Sequence, residues 1–104
     1  MPKILLDPCV EDELWSIWRF IAEDNPNAAS RVVDAAFDTF ETLAANPALG
    51  RLRRFGNPKL HGIRSRRVAG FDNYIIFYRA IAERIHVIHV YHGARDIEAL
   101  FGER

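Results

Sequence analysis

The sequence predicts an α+β domain: an N-terminal strand and an αα-hairpin packed on one face of an antiparallel sheet, in the order β-α-α-β-β-β with a short C-terminal helical turn. Three observations predict it. Between Asp7 and Gly50, apolar residues recur at helical spacing in two runs separated by only a few residues. Between Gly62 and His92 the pattern changes to β-branched and aromatic runs divided by short polar breaks, which is the signal for a meander of strands. The helices precede these strands instead of alternating with them, so helices and sheet form separate layers. A chain of 104 residues is expected to be one domain, 1–104, around a single core.

Lys3 to Leu6 reads as the first strand. Asp7-Pro8 then starts a helix: Asp caps, Pro fits the first helical position, and Glu11, Asp12 and Glu13 suit the positive end of the dipole. Val10, Leu14, Ile17, Trp18 and Ile21 share one helical face; Trp15 and Phe20 lie off it and are surplus to that stripe. Asn25-Pro26 repeats the cap-plus-proline signal for a second helix, whose stripe is Ala29, Val32, Val33, Ala36, Phe37, Phe40, Leu43 and Ala44. Pro47 ends it and Gly50 closes the turn. Helices joined so tightly must lie antiparallel.

Arg51 to Leu60 contains Gly56 and Pro58 without clean periodicity and reads as a loop. The second strand is expected over Gly62 to Val68, the third over 74–81 and the fourth over about 85–92. A turn of helix at Ile97, Leu100 and Phe101, capped by Asp96, can fold back on the sheet. With both helices on one sheet face, the other face is expected to carry part of the basic and aromatic set, a surface suited to nucleic acid or an extended peptide. The last two strands, from Asn73 to Asp96, end in His92-Gly93-Ala94-Arg95-Asp96, and strand ends are where functional groups are commonly mounted.

The zero net charge hides a segregation. Residues 1–50 carry a net −6, residues 51–71 carry seven basic and no acidic side chains, and residues 72–104 carry a net −1. Fields are local, so the middle segment can face phosphates or an acidic protein, or can pair with the acidic helices. No apolar run approaches the ~20 residues a membrane span needs, and the N-terminus lacks the pattern of a signal peptide. The one cysteine, Cys9, cannot form an internal disulfide, which suits a reducing cytoplasm. His86 and His89 stand three apart in a strand and are expected on opposite faces, and His61 is isolated, so neither a metal site nor a cofactor is expected. There is no phosphate-binding glycine loop and no nucleophile elbow.

One ordered set of segments carries a family resemblance. It runs Glu13-Leu14-Trp15-Ser16-Ile17-Trp18, Ile21-Ala22-Glu23-Asp24-Asn25-Pro26, Leu43-Ala44-Ala45-Asn46-Pro47-Ala48-Leu49-Gly50-Arg51, Ile63-Arg64-Ser65, Tyr74-Ile75-Ile76-Phe77-Tyr78-Arg79 and His92-Gly93-Ala94-Arg95-Asp96-Ile97. In that order the chain resembles the ParE branch of the RelE/ParE toxin superfamily of bacterial type II toxin–antitoxin systems. The resemblance implies growth arrest, plasmid or chromosomal stabilisation, and a cognate antitoxin, ParD-like or other, whose C-terminal segment wraps the toxin. Operator DNA would be reached only through that antitoxin. For the ParE branch it implies inhibition of DNA gyrase; for the RelE branch, ribosome-dependent mRNA cleavage.

An mRNA nuclease needs a base for the ribose 2′-OH, cations for the charged phosphorane and an acid for the leaving oxygen. Its candidates here are Arg64, Arg79, His92 and Arg95, with arginine a good phosphate clamp and a poor base. Aligned with the RelE branch on Gly93 and Arg95, Phe101 stands where those nucleases place a tyrosine, so the hydroxyl is missing. The competing structural reading makes His92 a strand end, Gly93 a positive-φ position and Asp96 a helix cap. The sequence therefore favours a non-catalytic inhibitor whose contact residues are Trp15, Phe20, Arg51, Arg53, Arg54, Arg64, Arg66, Arg67 and Arg95. The alternatives are the metal-independent nuclease and a detoxified member that only binds its antitoxin and co-represses their operon.

Overall fold

In a computed structural model, which describes residues 4–93 and 95–102, the chain folds in the predicted order with one added strand. The described elements are β1 (Ile4–Leu6), α1 (Pro8–Ala22), α2 (Pro26–Ala45), β2 (Arg51–Leu52), β3 (Ile63–Val68), β4 (Phe71–Ile81), β5 (Arg84–His92) and α3 (Ile97–Leu100), with 3-10 turns at Pro47–Leu49 and Pro58–Leu60. Lys3, expected in the first strand, and Ala94, in the turn after β5, lie outside the described residues. Both long helices start as read: Asp7 Oδ1 accepts from the Cys9 N–H at 3.2 Å and Asn25 Oδ1 from the Ala28 N–H at 3.0 Å, each followed by proline.

The sheet order is β1-β5-β4-β3-β2. The sheet is mostly antiparallel, as expected, with β1 joining it in parallel to β5 (Ile4 opposite Ile85, Leu6 opposite Val87). One expectation is corrected. Arg51–Leu52 is not loop but a two-residue strand antiparallel to Ser65 and Arg64, too short for any periodicity to reveal.

The helices pack on one face around Val10, Leu14, Ala36, Phe40, Leu43, Val68, Ile76, Tyr78, Ile85, Val87 and Val90. The buried face of each helix is narrower than its apolar stripe. Trp18 and Ile21 are only partly covered and Phe37 is 45% exposed. Buried Thr39, outside the stripe, donates to Ala35 O at 2.7 Å and accepts from the Ala69 N–H at 3.1 Å, tying α2 to the β3–β4 turn.

The opposite face does carry part of the basic and aromatic set, with Arg51, Arg67 and Arg79 placed there by register, but much of it is covered. Phe55, Ile63, Phe77 and Tyr91 form a second small core there, roofed by Leu60, Ile97, Leu100 and Phe101. The turn at Pro58–Leu60 and α3 thus cover much of the surface expected to face a ligand. Asp96 caps α3 by accepting from the Ala99 N–H at 3.2 Å. Gly93 is not in the left-handed region; a Cβ there would meet Ile75 Cδ1 at 3.2 Å, a tight contact with the tip of a flexible side chain.

One irregularity in β5 overturns a face assignment. Phe77 pairs with His89 while Tyr78 pairs with Val87, leaving Ile88 as an extra bulged residue. The bulge reverses the alternation beyond it. His86, opposite Arg79, and His89, opposite Phe77, therefore lie on the same face, not on opposite ones.

Asn46-Pro47-Ala48-Leu49-Gly50 owes its shape to Tyr78, which is fully buried. The Tyr78 hydroxyl donates to Pro47 O at 2.6 Å and accepts from the Gly50 N–H at 2.8 Å. A Cβ at Gly50 would lie 2.5 Å from that oxygen and 2.6 Å from ring carbon Cε1. Gly50 has an ordinary extended backbone (φ −71°, ψ 152°), so close approach, not conformational freedom, is what demands glycine.

Candidate functional site

The arginines proposed as one surface separate by register. In β3, Arg64 and Arg66 pair with Tyr78 and Ile76 and so take the helix side, whereas Arg67 pairs with Ile75 on the opposite face. Arg51 pairs with Ser65 and shares that opposite face. Because β2 begins only at Arg51, opposite Ser65, the edge of β3 from Arg66 onward has no partner strand among the described residues, and both sets of arginines reach around it. There Thr39, Arg51, Arg53, Arg66, Arg67 and Asp72 are among the residues lining an open cavity of ≈ 540 Å³. Arg54 lines a neighbouring cleft with Arg51, Arg53 and Glu98.

Several of these arginines are already engaged within the fold. Arg64 Nη1 donates to Gly50 O at 2.8 Å, and Arg79 donates to Lys59 O at 2.8 Å and His61 O at 3.2 Å. Arg53 lies over the Phe77 ring with Cζ 5.6 Å from its centroid; burial, then the neighbouring Arg51, lower its pKa. Arg95 lies over the Tyr91 ring at 5.0 Å. Arg51, Arg54, Arg66 and Arg67 are exposed, with Arg67 Nη1 also donating to Asp72 O at 3.5 Å.

The four nuclease candidates are not brought together. Arg64 and Arg79 are adjacent in register but on opposite faces, since Arg64 pairs with Tyr78 and Arg79 with Ile63. Arg79 is five pairs along the hairpin from Tyr74, which faces His92; that is roughly 17 Å at the usual strand rise. His92 and Arg95 share the far end, where the His92 and Tyr74 rings meet edge-on at 5.3 Å. Phe101 is built into the second core, 4.9 Å from Phe55 and 5.1 Å from Phe77 between ring centroids.

The surplus aromatics of α1 are exposed, Trp15 by 54% and Phe20 by 72%. They face different directions. Trp15 stacks on Trp18 at 5.4 Å with Arg19 over it. Phe20 and Ile17 form one wall of an apolar groove of ≈ 660 Å³ whose other wall is Tyr74, Val90, Tyr91, His92 and Arg95. Sequence periodicity left Phe20 unassigned and could not supply the facing wall, which comes from residues more than fifty positions away. No helix among the described residues is long and apolar enough to cross a membrane.

Comparison with known proteins gives a consistent picture. The profile of the family "ParE toxin of type II toxin-antitoxin system, parDE" matches residues 4–97. Among solved structures, a chain of the chromosomal ParDE toxin–antitoxin system from P. aeruginosa is similar with a TM-score of 0.68 and 15% identity, covering 88% of this chain and 96% of that one. A chain of the YoeB–YefM complex from Staphylococcus aureus is similar with a TM-score of 0.56 and 17% identity, covering 88% and 98%. No curated protein sequence matches significantly. The chain belongs to the ParE toxin family.

Proposed function

We propose that this ParE-family chain is a toxin that inhibits DNA gyrase by protein–protein contact and is held inactive by a cognate antitoxin. The observation that carries the non-catalytic reading is the dispersal of Arg64, Arg79, His92 and Arg95. Two of them are spent on backbone carbonyls, and Phe101 offers a packed ring where acid–base work would need a hydroxyl. Phosphoryl-transfer catalysis requires cations and an acid converging on one phosphate, and this arrangement supplies no such point.

The antitoxin is assigned to the groove between α1 and the end of β5, with Phe20 as its anchor, and the exposed Trp15–Trp18 stack extends the contact. Exposed aromatics beside an apolar groove are the residue types that dominate binding energy at interfaces. The two similar structures described above belong to toxin–antitoxin assemblies, which supports a partner of that class. The exposed arginines at the β3 edge, Arg66 and Arg67, with Arg51 and Arg54, form the surface assigned to the target. Operator DNA is reached only through the antitoxin, and the single domain works in the cytoplasm.

Purified toxin added to a gyrase supercoiling reaction and to a translating ribosome with mRNA tests the assignment. Loss of supercoiling without mRNA cuts is the expected result. Cuts at the ribosomal A site with normal supercoiling would replace this reading with the nuclease. Undisturbed growth of cells expressing the chain alone would reduce it to an antitoxin-binding co-repressor.

A further inference from the structure

Beyond Val87 the edge of β5 loses its partner strand, and the first turns of α1 take over. Cys9 Sγ donates to Ile88 O at 3.2 Å, and Glu13 Oε1 accepts from the Val90 N–H at 2.9 Å. The bulge at Ile88 aims His89 at the same place: its Nδ1 stands 2.7 Å from Glu13 Oε2 and 3.5 Å from Cys9 Sγ. One ligand atom from each of Cys9, Glu13 and His89 falls within 4.8 Å of the others. We propose that Cys9, Glu13 and His89 form a binding site for a borderline-soft divalent cation of the Zn²⁺ type, which staples α1 to the free edge of β5.

The chemistry of the donor set points to that class. A thiolate, an imidazole nitrogen and a carboxylate are zinc ligands, and ligand separations of this size suit metal bonds of about 2.0–2.3 Å. Three protein ligands leave a fourth position for water. The thiolate and carboxylate together balance the dication, so binding creates no net buried charge. Cys9 and Glu13 stand four apart on α1 and share a face. The supporting contacts are also present: Glu13 is oriented through its second oxygen by Val90, and His89 is stacked on Tyr91 at 4.6 Å and set edge-on to Phe101 at 5.4 Å. His89 and Glu13 side chains are 24% and 19% exposed, which leaves a path for an ion.

The same three groups do not make a nucleophile. A carboxylate only accepts, so Nδ1 must carry the proton it shares with Glu13 and cannot also take one from the thiol. Burial, a hydrogen bond with Asp7 and the negative field of Glu13 push the Cys9 pKa up to about 12. The carboxylates that oppose a thiolate favour a dication, whereas burial disfavours both, and binding would release the thiol proton to solvent.

The test is Co²⁺ titration of the full-length, tag-free, reduced chain, followed by thiolate-to-cobalt charge-transfer absorption and the visible bands of a tetrahedral ion. Saturation at one equivalent is expected, with loss of colour on adding Zn²⁺. Cys9→Ser should abolish the charge-transfer band. Glu13→Gln and His89→Asn should each weaken binding by about 100-fold or more, since even supporting residues contribute about 10–100-fold. His86→Asn should leave the titration unchanged. Circular dichroism of each variant separates loss of the site from loss of the fold. A folded wild type without charge-transfer absorption at stoichiometric Co²⁺, or folded Glu13→Gln and His89→Asn variants that titrate like wild type, would overturn the proposal and leave the trio as a hydrogen-bonded strut. This outcome is independent of gyrase or ribosome activity.

Discussion

The Tyr78–Gly50 contact can be measured directly. Tyr78→Phe removes one oxygen and two hydrogen bonds, leaving the buried Gly50 N–H and the Pro47 carbonyl without that partner. A hydrogen bond contributes about 1 kcal/mol net, and a buried group left unsatisfied costs about 1–3 kcal/mol. The expected loss is therefore about 2–3 kcal/mol, a sizeable share of the 5–15 kcal/mol typical of a domain. In Tm this is roughly 10–20 °C for a chain of this length. Gly50→Ala attacks the contact from the other side, because the Tyr78 ring is held in the core and cannot yield to a Cβ 2.6 Å from Cε1. Both substitutions break the same contact, so the double variant should be less destabilised than the sum of the singles. Urea denaturation followed by Trp15 and Trp18 fluorescence reads all four proteins. A Tyr78→Phe variant within about 0.5 kcal/mol of wild type, or strict additivity, would refute the reasoning.

Other consequences can be checked together. Phe20→Glu should leave stability within about 0.5 kcal/mol, since the ring is 72% exposed, while weakening antitoxin binding at least about tenfold by calorimetry. Ala82 holds φ +54° in the β4–β5 turn, so Ala82→Gly should raise stability by about 0.5–1 kcal/mol in the same denaturation assay. In the metal-free protein, Cys9 and Tyr91 are both pushed up to about 12, mainly by burial. Raised folded-state values mean the unfolded chain loses its protons first, so stability should be full below about pH 9 and fall from there toward pH 12. Cys9→Ser should delay the onset of that fall to the tyrosine range.

The fold was legible where one residue type settles a local question. Asp7-Pro8 and Asn25-Pro26 fix both helix starts through cap and proline chemistry, and the alternating runs fix β4 and β5. What escaped depends on distant partners. A two-residue β2 has no period to detect, and it exists because β3 offers an edge. The bulge at Ile88 leaves no mark in a run that reads Ile-His-Val-Ile-His-Val, so the faces of His86 and His89 came out wrong. The arginines were visible as a charge cluster, but one strand distributes its side chains to two faces, and carbonyl groups at Gly50, Lys59 and His61 claim two of them. Cys9, Glu13 and His89 meet only through the α1–β5 packing, with 80 positions between cysteine and histidine.

The strand order β1-β5-β4-β3-β2 gives the sheet a direction in time as well as in space. The helices are made early, yet the strand they rest on, Arg84–His92, leaves the ribosome after nearly everything it contacts. Until then α1 and α2 have only each other for their apolar stripes, and β1 has nothing to pair with. The groove walled by Phe20 and Tyr91 cannot exist in a chain shorter than about ninety residues. The groove between α1 and the end of β5 is thus among the last features to form, when β5 closes the sheet. An antitoxin already present in the cell would therefore meet its site in the moments when that site first forms.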